Sequence, residues 1–199
     1  MPVTAATDGL TDRLVAATLR CVARWGVAKT SFDDIAREAG VSRATAYRAF
    51  PGGRERLFET VAQDEVARFF REVDAVLAGA DDLADMLSRG ISRALAEIAD
   101  HPALATMLRH EPERVLPHVA FHRLDRFLAT TTALARPHLA RFLPDDAIAP
   151  TAEWAARIVI TYSIHPAPAV DPHDPDSVRH LVDSYVLPAL TPRRLQEPR

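Results

Sequence analysis

Apolar residues return at intervals of three and four along almost the whole chain, and no stretch alternates with the two-residue period of a half-buried strand bounded by turns. The pattern predicts an all-α protein. A first helix over about 8–25 puts Leu10, Leu14, Ala17, Thr18, Cys21, Val22 and Trp25 on one stripe before Gly26 stops it. Two short helices follow. Ser31 caps the first of them, with Asp34 as the acidic third residue of a capping-box variant, and Ile35 and Ala36 face inward. Gly40 permits the left-handed conformation that closes this helix, Val41 plugs the corner, and Ser42 caps the next.

A fourth helix starts after Pro51-Gly52-Gly53 and carries Leu57, Phe58, Val61, Val66, Phe69, Phe70, Val73 and Leu77. That stripe is too long for a three-helix head alone, so it is expected to bridge into a second core. Gly79 and Asp81-Asp82 mark a break, and a fifth helix to about Asp100 buries Leu83, Leu87, Ile91, Leu95 and Ile98. A short helix with Leu104, Met107 and Leu108 leads to a long one from near Pro112 to about Phe142, bent or broken near Pro137. Pro144 and Pro150 are expected to bound a loop. The last two helices, roughly 151–165 and 175–189, are joined by PAPAVDPHDP, whose four prolines make a stiff connection, and the tail from Pro192 is expected to be disordered.

With 199 residues, of which 48% are hydrophobic, the chain has room for one large or two small domains with a proper core. No run of about eighteen apolar residues occurs, and Asp8, Asp12 and Arg13 stand where a leader would be basic and then apolar, so a cytoplasmic protein without a membrane partner is expected. The single Cys21 cannot form an internal disulfide and falls in the apolar phase of the first helix, as a small buried hydrophobe. A net charge of -3 argues against indiscriminate coating of nucleic acid, yet residues 42–56 hold four arginines against Glu55 alone. Any DNA affinity must therefore come from a local patch.

That patch coincides with the tight helix pair. Small Ala36 and Ala46 let the two helices cross closely, leaving Arg43, Thr45, Tyr47 and Arg48 on flanks free for a partner. Over about residues 10–65 the chain resembles the TetR family of bacterial transcriptional regulators. The resemblance rests on TSFDDIAREAGVSRATAYRAFPGGRERLF at 30–58, with its DIA, its AGVS turn, its Thr-x-Tyr pair and the Phe-Pro before the fourth helix. It implies a helix-turn-helix DNA-binding domain at 1–54 and a helical ligand-binding and dimerisation domain at 55–199, with homodimerisation through the last two helices. The family's contacts, carried over, put Thr30 and Ser31 on phosphate with the N-terminus of the second helix. Ser42 sits at the start of the reading helix, Arg43, Ala44, Thr45 and Arg48 face the major groove, Tyr47 bonds phosphate, and Arg54 anchors the backbone. The chemistry agrees, because Arg binds guanine O6 and N7 bidentately, Ala or a Thr methyl touches a thymine methyl, and Tyr and Ser suit phosphate. Asp33 departs from the basic or neutral residue common in relatives, and Ala46 from a larger apolar one.

In the second domain Met107, Phe121, Phe127, Trp154 and Tyr162 fall on helices that line a ligand pocket in similar proteins, and His110, His118, His122 and Arg126 could add polarity at its edge. His118 and His122, four apart, share a helix face as a metal pair would, but no third ligand is identifiable, so neither a metal nor a cofactor is expected. An enzyme is likewise not expected, for want of a nucleophile in a recognisable setting, a glycine-rich phosphate loop or paired carboxylates. Trp154, Ile158 and Tyr162 on one helix, and Val178, Leu181, Val182 and Tyr185 on the next, form apolar phases expected at a dimer interface. Together these readings predict a ligand-responsive regulator, a repressor that binds a palindromic double-stranded DNA operator as a homodimer and is released by a small-molecule effector. The alternative is a helical ligand-binding or adaptor protein whose head no longer recognises DNA.

Overall fold

A computed structural model describes residues 4–114, 124–168 and 170–190, and the regular elements among them are all helical. The helices are α1 (Thr4–Trp25), α2 (Phe32–Glu38), α3 (Arg43–Ala49), α4 (Gly53–Leu77), α5 (Leu83–Ala99) and α6 (Pro102–His110), followed by α7 (Leu124–Leu139) and α8 (Asp145–Ile164). The last helical run comprises α9 (Pro175–Leu181), a π turn over Val182–Val186, and α10 (Leu187–Leu190). The chain packs as two compact units. One is Met1–Phe69 with Ala99–Phe121, the other Phe70–Ile98 with His122–Arg199, so α4 contributes residues to both.

The core of the first unit is built on Leu14, Ile35, Ala46 and Leu57, each fully buried, with Ala17 and Cys21 beside them. Full burial of a leucine or isoleucine side chain stabilises by about 1.5–3 kcal/mol, so these few residues fix how α1, α2, α3 and α4 meet. Burial also pushes the Cys21 thiol up from its ordinary pKa, with Glu38 and Asp34 adding to the effect, which leaves it an inert packing group. Two residues depart from the expected stripes. Trp25 is 40% exposed at the end of α1, where the Arg24 guanidinium lies 5.4 Å from its ring centroid, and Val66 is 54% exposed on α4. At helix ends and on long bridging helices the apolar phase outruns the surface available to cover it. Within the same unit α6 packs on α1, where the Thr106 hydroxyl donates to the Ala23 carbonyl at 2.8 Å.

In the second unit α5 buries Met86, Leu87, Ile91 and Leu95. Gly90 lets it approach Leu77 closely, since a Cβ there would meet the leucine methyl at 2.8 Å. The expected loop between Pro144 and Pro150 is instead the first turn and a half of α8, with Pro144 as its N-cap and Asp145 and Asp146 favouring the helix start. Pro150 cannot donate to the Asp146 carbonyl, but both residues are exposed, so water can satisfy that carbonyl. Buried Ile148, Thr151 and Ala152 on the other face hold the turn in place. Pro137 lies in the last turn of α7, two residues before its end.

The final helix needs a further correction. Val178, Leu181 and Val182 are 0%, 6% and 0% exposed within the single chain, so they belong to its own core and offer nothing to a second subunit. The apolar phase of that helix is the inward phase. Tyr185 does point outward, at 70% exposure, and Ile158 is half-buried. The π turn precedes Pro188, which has no N–H to continue the four-residue ladder, and Leu187 donates five residues back to Val182. The tail from Pro192 lies outside the described residues, as do His118, Phe121 and His122.

Candidate nucleic-acid interface

Local side-chain chemistry sets the geometry of the helix pair. The Ser31 hydroxyl accepts the Asp34 amide at 3.1 Å while the Asp34 carboxylate accepts the Ser31 amide at 3.2 Å, a reciprocal capping box at the start of α2. Gly40 takes φ +68 in the turn, and the Val41 amide donates back to the Ala36 carbonyl at 3.0 Å. The Ser42 hydroxyl then accepts the Thr45 amide at 3.1 Å and fixes the start of α3. Ala36 and Ala46 are both buried at the crossing.

The outward side of α3 is polar and cationic. Ser42, Arg43, Ala44, Tyr47 and Arg48 are exposed, while Thr45 is half-buried, with its hydroxyl 2.9 Å from that of Ser42 and accepting from Arg48 Nη2 at 3.2 Å. Arg43 reaches across to α2, where its Nη1 donates to Asp33 Oδ2 at 2.9 Å, and its guanidinium lies 5.4 Å from the Tyr47 ring centroid. The Tyr47 ring in turn packs on Phe32 at 4.6 Å, tilted by 58°. Gly53, whose φ of +63 favours glycine, lies beside that ring, where a Cβ would make ordinary contact with Tyr47 Cε1 at 3.4 Å. Four of the expected site residues, Arg43, Ala44, Tyr47 and Arg48, thus lie on one accessible surface.

Two residues expected at the phosphates are placed otherwise. Thr30 is 1% exposed and its hydroxyl donates to the Gly26 carbonyl at 2.7 Å, so its side chain braces the turn rather than facing a partner. Arg54 turns back, donating from Nε to the Thr30 carbonyl at 2.8 Å and from Nη2 to the Val27 carbonyl at 2.5 Å, with its guanidinium 4.6 Å from the Phe58 ring. Ser31 remains exposed at the N-terminus of α2.

Sequence reasoning missed the residue that completes this brace. Glu111, only 8% exposed, caps the end of α6 and accepts the Val27 amide at 3.0 Å and the Ala28 amide at 2.9 Å. The segment between α1 and α2 is therefore held by its carbonyls from Arg54 and by its amides from Glu111. Gly26, at φ +79, is needed there, since a Cβ would stand 2.6 Å from Glu111 Oε1. No local sequence signal marks the contact.

The residues expected to line a ligand pocket are divided between the two units. Met107, half-buried, and His110, exposed, lie on α6 in the first. Phe127, Trp154 and Tyr162, all half-buried, lie in the second, where Phe127 meets Phe70 with ring centroids 5.9 Å apart. Among the described residues no group of three or more His, Cys, Asp or Glu is arranged to hold a metal ion, and no helix is long and apolar enough to cross a membrane.

A capped, exposed helix set across a second by a left-handed glycine turn, where the regular elements among the described residues are all helical, has the geometry of a helix-turn-helix DNA-binding motif. Residues 14–61, which include both helices of the pair, match the family of bacterial regulatory proteins described as the tetR family. Uncharacterised HTH-type transcriptional regulators of two Mycobacterium tuberculosis strains are 28% identical to it over 188 residues, covering 94% of this chain and 88% of theirs. The fold is similar to that of the TetR family repressor AlkX from a Dietzia strain, implicated in biodegradation of n-alkanes, with a TM-score of 0.63 at 21% identity over 89% of this chain and 96% of that one. It is also similar to the fatty acid degradation regulator FadR of Bacillus halodurans, with a TM-score of 0.62 at 16% identity over 86% and 93%.

Proposed function

We propose that this protein is a cytoplasmic repressor that binds a palindromic operator as a homodimer and leaves it when a small molecule binds the helical domain at 55–199. The observation that carries the reading is the outward face of α3, where Arg43, Ala44, Tyr47 and Arg48 stand exposed while Ala46 is buried and Ala49 packs against the core. In this reading Arg43 and Arg48, with Ala44 and Thr45, meet base edges, and Ser31, Ser42 and Tyr47 hold phosphates. Thr30 and Arg54 serve the same interface indirectly, by fixing the segment that leads into α2. The head at 1–54 is a functional division, within a larger compact unit.

A single seven-residue helix with few cations makes too little contact for tight binding, which favours two copies reading half-sites about 34 Å apart or a near multiple. Tyr185 and Ile158 are the candidate subunit contacts, at the last two long helices. Phe127, Trp154 and Tyr162, within the second unit, are the candidate effector contacts. One solved relative is a repressor implicated in n-alkane biodegradation and another a fatty acid degradation regulator, which supports repression and a small apolar effector. Such an effector would lower operator affinity by its differential affinity for the two conformations, and by no more.

Selection of duplexes from a randomised library, followed by gel shift, tests the proposal. Enrichment of an inverted repeat bound by two copies is expected. Failure of a dimeric sample to select any sequence at low salt would overturn it.

A further inference from the structure

We propose that Asp33 is a specificity-determining residue, which positions the Arg43 guanidinium so that its free edge is offered to a guanine in the major groove. This inference rests on the assignment of Arg43 as a base reader. Asp33 is an anomaly at a surface that would face phosphates, because a carboxylate there is repelled by DNA. It is also not a stability device, since the pair it makes with Arg43 is exposed, at 65% for the arginine and 46% for the aspartate, and such pairs contribute little to folding.

Its geometry gives it another role. Oδ2 accepts Arg43 Nη1 at 2.9 Å, whereas Oδ1 is enclosed and has no hydrogen-bond partner among the described residues. One carboxylate oxygen is thus enclosed by the fold while the other holds Arg43. The Tyr47 ring, 5.4 Å away and itself packed on Phe32, flanks the guanidinium from a second side. An arginine held at one Nη by a carboxylate, and bounded by a ring, has lost most of its rotamer freedom before it meets DNA. Its remaining N–H groups keep the fork that matches guanine O6 and N7. Pre-orientation of this kind sharpens the choice of base more than it raises affinity.

The test separates base preference from overall affinity. Binding of the full-length protein, Asp33→Ala, Asp33→Asn and Arg43→Ala is measured on its selected duplex, on duplexes with each guanine of the half-site replaced in turn, and on a scrambled duplex. The wild-type chain should prefer guanine at one half-site position by on the order of tenfold. Asp33→Ala should cut that preference to about threefold or less, while binding of the scrambled duplex stays the same or tightens as a negative charge is removed. Asp33→Asn, which keeps an acceptor oxygen, should recover part of the preference, a rescue that a purely electrostatic role would not give. Full guanine preference in Asp33→Ala overturns the inference. If Arg43→Ala abolishes the preference in that case, the base-reading assignment stands and the Asp33 role alone falls; if Arg43→Ala also retains it, both fall.

Discussion

The Glu111 carboxylate and the Val27 amide, 84 positions apart in the chain, meet at 3.0 Å, and the neighbouring Ala28 amide meets the same carboxylate at 2.9 Å. The end of α6 is thereby fastened to the segment that enters α2. Removing the carboxylate strands two amides that the fold partly buries, at about 1–3 kcal/mol for each fully buried donor left unpaired. Glu111→Ala should destabilise the protein by about 2 kcal/mol, and Glu111→Gln by less, because one oxygen remains to accept. Urea unfolding of the three proteins checks this; equal midpoints would mean that water serves those amides as well as Glu111 does.

Two glycines share the left-handed conformation but not the same surroundings. At Gly40, with φ +68, a Cβ meets nothing within 4 Å, so Gly40→Ala should cost only the backbone penalty of about 1–2 kcal/mol. At Gly26, with φ +79, a Cβ would also collide with Glu111 Oε1 at 2.6 Å, so Gly26→Ala should cost more. In a Glu111→Ala background the excess should disappear, which a double-mutant cycle reads directly. An excess that persists would show that the clamp is not what Gly26 accommodates.

Acid should weaken the capping box. The Asp34 carboxyl sits below its ordinary pKa, chiefly because the Ser31 hydroxyl and amide donate to it, with Arg37 adding a smaller effect. A depressed carboxyl stabilises the fold above its unfolded pKa, and the contribution disappears as pH falls through the lower folded value. The stability difference between the wild-type chain and Asp34→Asn should therefore be present at pH 6 and shrink steadily below about pH 4. A difference that is constant with pH would assign Asp34 no charged role in the cap.

Much of the head was legible in the sequence because its devices are local. Ser31 with Asp34, Gly40 and Ser42 each act on backbone within three or four positions, and the structure places all of them as the pattern requires. What the sequence hid are choices made by packing across the chain. Glu111 carries no local mark of its partners, and Thr30 and Arg54 look like free polar groups until the segment they brace is folded. The same limit explains Val178 and Val182, since an apolar phase on a helix says that one face is covered and not by which surface. Pro150 looks like a breaker in the sequence because its missing donor is visible there, while the burial of Ile148 and Thr151 around it is not.

Tyr185 is the large apolar side chain most exposed on the last helical run, at 70%. If it belongs to the subunit interface, Tyr185→Arg should shift the protein toward monomer at micromolar concentration and weaken operator binding together with dimerisation. Analytical ultracentrifugation checks the mass. A variant as dimeric as the wild-type chain would move the interface elsewhere.

Dimethyl sulfate footprinting of the selected duplex tests groove reading most directly, because the reagent methylates guanine N7 in the major groove, the atom that Arg43 or Arg48 would cover. Protection of guanines in two half-sites about one helical turn or a near multiple apart is expected, lost at one position per half-site in Arg43→Ala and at another in Arg48→Ala. A bound duplex whose guanines stay fully reactive, or a footprint unchanged by both substitutions, would contradict the assignment of α3 as the reading helix.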